Sequence, residues 1–172
     1  VSYQSSYSSV KSQDSPYGTF SDYVSLNPYD TPYDETGALL KKLSWEINNP
    51  LYEAKCGNFN KTAATTFTNT VNIRWDILKG LYLTANGSIV SNHSDQEIFI
   101  SPASAVYLTE EDLSKKGNLS ENHQKSLNLS GNFVVSYNRH IGDNNLLSLY
   151  LGGDIYKDDA RTQSFVASGF LK

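Results

Sequence analysis

In "TFTNTVNIRWDI", residues 66 to 77, the odd positions read Phe67, Asn69, Val71, Ile73, Trp75 and Ile77, and the even ones Thr66, Thr68, Thr70, Asn72, Arg74 and Asp76. Side chains of an extended strand point alternately to its two faces, so this order makes one face mostly apolar and the other wholly polar. "LKG" (78 to 80) interrupts the alternation. "LYLTANGSIVSN" then resumes it, with Leu81, Leu83, Ala85, Gly87 and Ile89 against Tyr82, Thr84, Asn86 and Ser88. Two alternating runs around a short breaker predict a β-hairpin.

The figure returns in "SLNLSGNFVVSY" (126 to 137), where Leu127, Leu129, Gly131, Phe133, Val135 and Tyr137 oppose Ser126, Asn128, Ser130, Asn132, Val134 and Ser136. A turn over "NRHIGDNN", broken by Gly142, Asp143 and two asparagines, leads into "LLSLYLGGDI" and a second hairpin. The connections at 78–80 and 138–145 are short. Those at the other end are long: the stretch 93–124, the segment before residue 66, and the tail after Tyr156. Within 93–124 the one helix-like piece is "TEEDLSKKG", with Thr109 as cap and Gly117 as stop. Strands of about ten residues with dyad alternation, short turns at one end and long loops at the other, are the sequence pattern of an outer-membrane β-barrel.

The aromatic residues fit that pattern. Trp75 and Tyr137 lie on the apolar face just before short turns, and Phe67 shares Trp75's face eight residues away. At ~3.4 Å per residue and ~40° tilt, Phe67 and Trp75 stand roughly 21 Å apart along a membrane normal, within an apolar band about 25 Å tall. Phe67, Trp75 and Tyr137 are therefore expected in a membrane-facing girdle, and Asn72, Arg74, Asp76, Asn86 and Asn128 on the lumen-facing wall.

Composition excludes other classes. In 172 residues the formal net charge is -4 and no basic stripe occurs, which leaves no electrostatic footprint for nucleic acid. The single Cys56 rules out an internal disulfide and reads as a small structural residue. No apolar run is long enough for a membrane helix, which does not bear on barrel strands. No nucleophile elbow, phosphate-cradling glycine loop or HExxH helix is present, so no catalysis and no cofactor are expected. Five Asn-X-Ser/Thr triplets, at Asn60, Asn86, Asn92, Asn118 and Asn128, are accounted for by abundant Asn, Ser and Thr.

Taken in order, "NPYDTPYDETGALLKKL", "NNPLYEA", "WDILKGLYLTANGSI" and "RHIGDNNLLSLYLGGDIYKD" resemble the barrel of SusC/RagA-type TonB-linked outer-membrane transporters, from about Ser21 to Phe170. The resemblance implies an all-β, antiparallel up-and-down meander. It would be a segment of a large transmembrane barrel with long outer loops and short periplasmic turns. It also implies import of glycans or peptides across the outer membrane of a Gram-negative bacterium, under a SusD-like surface lipoprotein and powered through TonB. On this expectation residues 1–172 are part of the barrel, with the plug and the TonB box outside them.

The segment "NPYDTPYDETG" (27 to 37) then falls on the outer side, between a strand candidate near "GTFSDYVSL" and the strand beginning near Thr65. Pro28 and Pro32 fix φ and remove donors, which argues against a central strand. Tyr29 and Tyr33 would project from a stiff backbone, beside Asp30 and Asp34, to meet cargo or the capping lipoprotein. The plainer alternative is that both rings pack under their own loop. The acids lack the alternating spacing and central glycine of a calcium loop. His93, Asp95 and Glu97 would share a face if extended and offer N and O ligands to a metal, although a hydrated loop accounts for them as well. His123 and His140 have no partner at ligand spacing. The competing class is a secreted β-sandwich that binds carbohydrate through loop tyrosines and buries its apolar face against a second sheet.

Overall fold

The computed structural model describes residues 1–24, 26–142 and 145–170. Their strands are β1 (Ser2–Gln13), β2 (Phe59–Leu78), β3 (Leu81–Ile100), β4 (Asn118–Ile141) and β5 (Asn145–Ser168). They form one sheet in the order β1-β2-β3-β4-β5, an antiparallel meander that is not closed. Two short helices, α1 (Phe20–Val24) and α2 (Pro50–Lys55), lie in the connection between β1 and β2.

The strands are twice as long as the alternation predicts, at 20 residues for β2 and β3 and 24 for β4 and β5. The stretch 93–124 is therefore not all loop. Residues 93–100 complete β3 and 118–124 open β4, and the chain after Tyr156 continues β5 to Ser168. These extensions are largely polar and, apart from residues 98–100, Leu119 and 165–167, lack large apolar residues, so backbone pairing carries them where alternation gives no signal. β1, "SYQSSYSSVKSQ", escapes sequence detection for the same reason.

The strand expected near residues 18–26 is helix α1. Asp22 accepts from the Thr19 amide at 2.6 Å and from its Oγ1 at 2.8 Å, half of a capping box that overrides the β-forming Phe20, Tyr23 and Val24. The helix expected at 109–117 shrinks to a single 3₁₀ turn, Leu113–Lys115. Asp112, rather than Thr109, caps it at the Ser114 amide, and Gly117 ends it at φ +79°. The short turns lie where expected. Gly80 takes φ +85° and its carbonyl receives the Asn138 amide at 2.7 Å. Gly142 takes φ +68°, while Asp143 and Asn144 lie outside the described residues.

The chain divides into two compact units. One comprises Val1–Val10, Ala64–Ser94 and Gln124–Thr162; the other comprises Lys11–Ala63, Asp95–His123 and Gln163–Lys172. In the first, cross-strand bonds match the even positions as the alternation requires. Asn72 donates to Ser2 at 3.3 Å, Asn86 to Asn132 at 2.8 Å and Asn128 to Asp158 at 2.9 Å. Between Phe67 and Ile77 the odd side of β2 is apolar except for Asn69, which accepts from the Tyr3 hydroxyl.

That apolar side has no cover. Ala105 is the one buried hydrophobic residue among the described residues, and it belongs to the other unit. A self-sufficient monomer of 19.1 kDa exposes roughly 8,400 Å². This chain exposes 12426 Å².

Candidate functional site

In the second unit, residues 27 to 49 form a small ladder. Bridges pair Tyr33 with Leu39 and Lys42 with Asn48. Asp34 turns the first of them: its carboxylate accepts from the Thr36 amide and hydroxyl and from the Ala38 amide at 2.6–2.9 Å. These bonds, the Thr36 hydroxyl first, hold its carboxyl below the usual carboxylate range. Gly37 takes φ +83°, a conformation that an L side chain would strain. Asp30 ties the ladder to its far end, accepting from the Ser44 amide at 2.9 Å and hydroxyl at 2.7 Å.

Asn49 closes the assembly. It is 1% exposed and donates to the carbonyls of Pro32 at 2.9 Å and Leu40 at 2.8 Å. Its oxygen accepts from the Leu51 amide at 3.1 Å, which caps α2 with Pro50 at the first helical position. Sequence inspection passes over Asn49 because its partners are backbone groups 17 and 9 residues away.

The aspartates of the repeated Pro-Tyr-Asp are thus internal fasteners and the tyrosines are the exposed parts. Tyr29 is 92% and Tyr33 49% exposed, so neither packs wholly under the loop. A third ring, unforeseen from sequence, belongs with them. Trp45, next to the Ser44 that Asp30 holds, is 74% exposed at φ +58°, and Glu46 beside it has φ +60°. Left-handed backbone at a bulky non-glycine residue is costly and is maintained by its surroundings. Here those are the Asp30–Ser44 bonds and the Lys42–Glu46 ion pair at 2.8 Å.

Beside the ladder lies an open cavity of about 570 Å³, whose lining includes Asp14, Glu46, Asn48, Asn58, Phe59 and Asn60. Carboxylate and amide acceptors with one apolar wall suit a polyhydroxylated or amino-bearing ligand. Part of this lining is already engaged. Asn60 donates to Asp14 at 2.9 Å, and Glu53 accepts from Ser104, Ala105 and Asn58 at 2.7–2.8 Å.

His93, Asp95 and Glu97 sit in β3 rather than in a hydrated loop. Among the described residues no group of three or more His, Cys, Asp or Glu is placed to hold a metal ion. His123, partnerless in sequence, receives one from 28 residues away. Its Nδ1 lies 2.7 Å from Asp95, and its Nε2 lies 3.6 Å from Glu121. The Asp95 hydrogen bond, with Glu121 assisting, raises the imidazole pKa above 6.5. A raised pKa makes the contact stabilising below pH 6.5 and lost as pH rises through the folded-state value. Titration of His123 by NMR is expected to give a midpoint above 6.5 that falls back in Asp95→Asn; an unchanged midpoint would refute the pairing.

On the polar face of the first unit, Asn72, Asn86 and Asn128 spend their amides on neighbouring strands. Arg74 pairs with Asp76 at 3.5 Å and lies over the Tyr82 ring at 4.7 Å. These residues zip the polar face, and at such exposure the ion pair contributes little. Of the girdle candidates Trp75 is 59% exposed, Phe67 is exposed and Tyr137 half-buried.

The fold and these surfaces define an open antiparallel β-meander with one uncovered apolar face and a fastened, aromatic-bearing loop. Neither a protein-family model nor a curated protein matches the chain.

Proposed function

We propose that the chain is a stretch of wall from a transmembrane β-barrel in the outer membrane of a Gram-negative bacterium, of the SusC/RagA TonB-linked type. On this reading it takes part in importing glycans or peptides, with a SusD-like lipoprotein over the outer loops and TonB acting elsewhere in the protein.

The observation that carries the reading is the height of the exposed apolar band. Odd positions are mainly apolar from Phe67 to Ile77, Leu81 to Ile89, Leu127 to Tyr137 and Leu147 to Ile155. At ~3.4 Å per residue and ~40° tilt these runs stand roughly 21–26 Å tall, against an outer-membrane apolar band of about 25 Å. Beyond them the odd positions become polar: Ser91, His93, Asp95 and Glu97 on β3, Lys125 and His123 on β4, Lys157, Asp159 and Arg161 on β5. Phe67, Ile73, Trp75, Ile77, Ile89, Leu127, Phe133, Leu147, Leu149, Leu151 and Ile155 are all exposed. Leaving that many large apolar side chains half in water forgoes on the order of 10 kcal/mol. A domain's whole stability is ~5–15 kcal/mol. Lipid supplies the missing cover. A β-sandwich would need a second sheet on this face, and the described residues form one.

The isolated chain is expected to self-associate in plain buffer and to become monodisperse in detergent. In vesicles Trp75, observed in a Trp45→Phe background, should be quenched by acyl-brominated lipid. A monodisperse monomer that unfolds cooperatively in buffer, with Trp75 unquenched, would overturn the reading.

A further inference from the structure

The apolar face of the first unit is not uniform. A depression of about 350 Å³ runs over it, lined by Val71, Ile89, Leu129, Ile155 and the glycines Gly87 and Gly131. A Cβ added at Gly87 meets nothing within 4 Å, so the missing side chains are what open the groove. Odd positions further along β3, β4 and β5 line a second hollow of about 490 Å³, with Ser91, His93, Lys125, Leu127, Asp159 and Arg161 around it. Leu127 and Leu129 stand two residues apart on β4, one in each lining. The two hollows thus meet along one strand, apolar in the first and cationic in the second.

We propose that this composite groove binds one anionic lipid, with the headgroup phosphate on Lys125 and Arg161 and an acyl chain along Leu127, Leu129 and Gly131. The proposal rests on the barrel reading above. Charge complementarity favours this occupant over a neighbouring protein strand. The second hollow has two permanent cations and a single acid, Asp159, and among the described residues neither Lys125 nor Arg161 has an ion-pair partner. Arginine and lysine at the end of an apolar stretch are placed to take a phosphate that has left bulk water. The dimensions agree. From Lys125 to Gly131 is six residues along β4, roughly 16 Å along the normal at ~3.4 Å per residue and ~40° tilt. One leaflet is about half of a ~30 Å hydrocarbon core.

The test uses the complete barrel that contains the chain, delipidated in detergent. Native mass spectrometry then tracks the retention of added phosphatidylglycerol or phosphatidylcholine. One phosphatidylglycerol per barrel should be held about tenfold more tightly than phosphatidylcholine, and Lys125→Gln/Arg161→Gln should abolish that preference. Lys125→Arg should keep it. Gly131→Leu, which fills the groove, should weaken both lipids while preserving the preference. Equal retention of the two lipids, an unaltered preference in the double variant, or displacement by millimolar inorganic phosphate would overturn the proposal. In those cases quenching of Trp75 by brominated lipid would persist, whereas failure of the barrel reading would remove it too.

Discussion

Under the proposed function, Val71→Arg and Ile73→Arg are each expected to cut the yield of assembled barrel sharply, while Asn72→Arg between them leaves it unchanged. The first two residues flank the midpoint of the apolar run on β2, and their side chains project to the uncovered face. An arginine near the bilayer midplane costs ~2–4 kcal/mol, because the guanidinium exchanges water for hydrocarbon. Asn72 already bonds to Ser2 on the polar face, where a longer cation keeps its hydration. The measurement is the folded fraction of the complete barrel in outer-membrane lipid, from heat-modifiable gel mobility. Equal yields for all three variants would show that the two faces have been assigned wrongly. Reduced yield for Asn72→Arg alone would show that they have been exchanged.

Asn49→Ala is expected to open the loop ladder without disturbing the sheet. The substitution takes the Asn49 donor from the Leu40 carbonyl, worth ~1–3 kcal/mol when that group is buried and unpaired, leaves the Pro32 carbonyl with the Leu40 amide alone, and removes the cap of α2, worth ~1 kcal/mol. The local loss is therefore about 2–4 kcal/mol, enough to leave the ladder largely open. Hydrogen exchange should lose protection at the Leu40 amide, which bonds to the Pro32 carbonyl, and at residue 49, whose amide bonds to the Lys41 carbonyl. Amides of β2 should keep theirs. Asn49→Asp separates the contributions, since it retains an oxygen to cap α2 and loses both donors. If Asn49→Asp protects Leu40 as well as the native residue does, the donors are not what holds the ladder. Under the proposed function the same variant disperses Tyr29, Tyr33 and Trp45, so affinity for cargo or cap should fall with it while barrel yield survives.

The two variants probe parts of the chain that were unequally legible in its residues. Alternation over 66–77, 81–92, 126–137 and 146–155 determined four strands, two hairpins and which side of each strand is apolar. It could do so because a strand's side-chain period is two and the contrast between apolar and polar residue types is strong there. Glycines at 80 and 142 marked the short turns because those positions take a positive φ. Prolines at 28 and 32 excluded a central strand from their neighbourhood for equally local reasons.

Everything that depended on distant partners was decided by the tertiary structure. The halves of the strands away from the short turns and the whole of β1 carry polar residues on both faces, and their pairing is a property of the sheet. The role of Asn49 rests on carbonyls brought to it by the ladder. The partner of His123 is Asp95, on the strand that precedes its own. The left-handed backbone that presents Trp45 exists because Asp30, 14 residues earlier, holds Ser44. Sequence periodicity reports where water and apolar surroundings alternate along a strand. A hydrogen bond between groups far apart in the chain leaves no period to read.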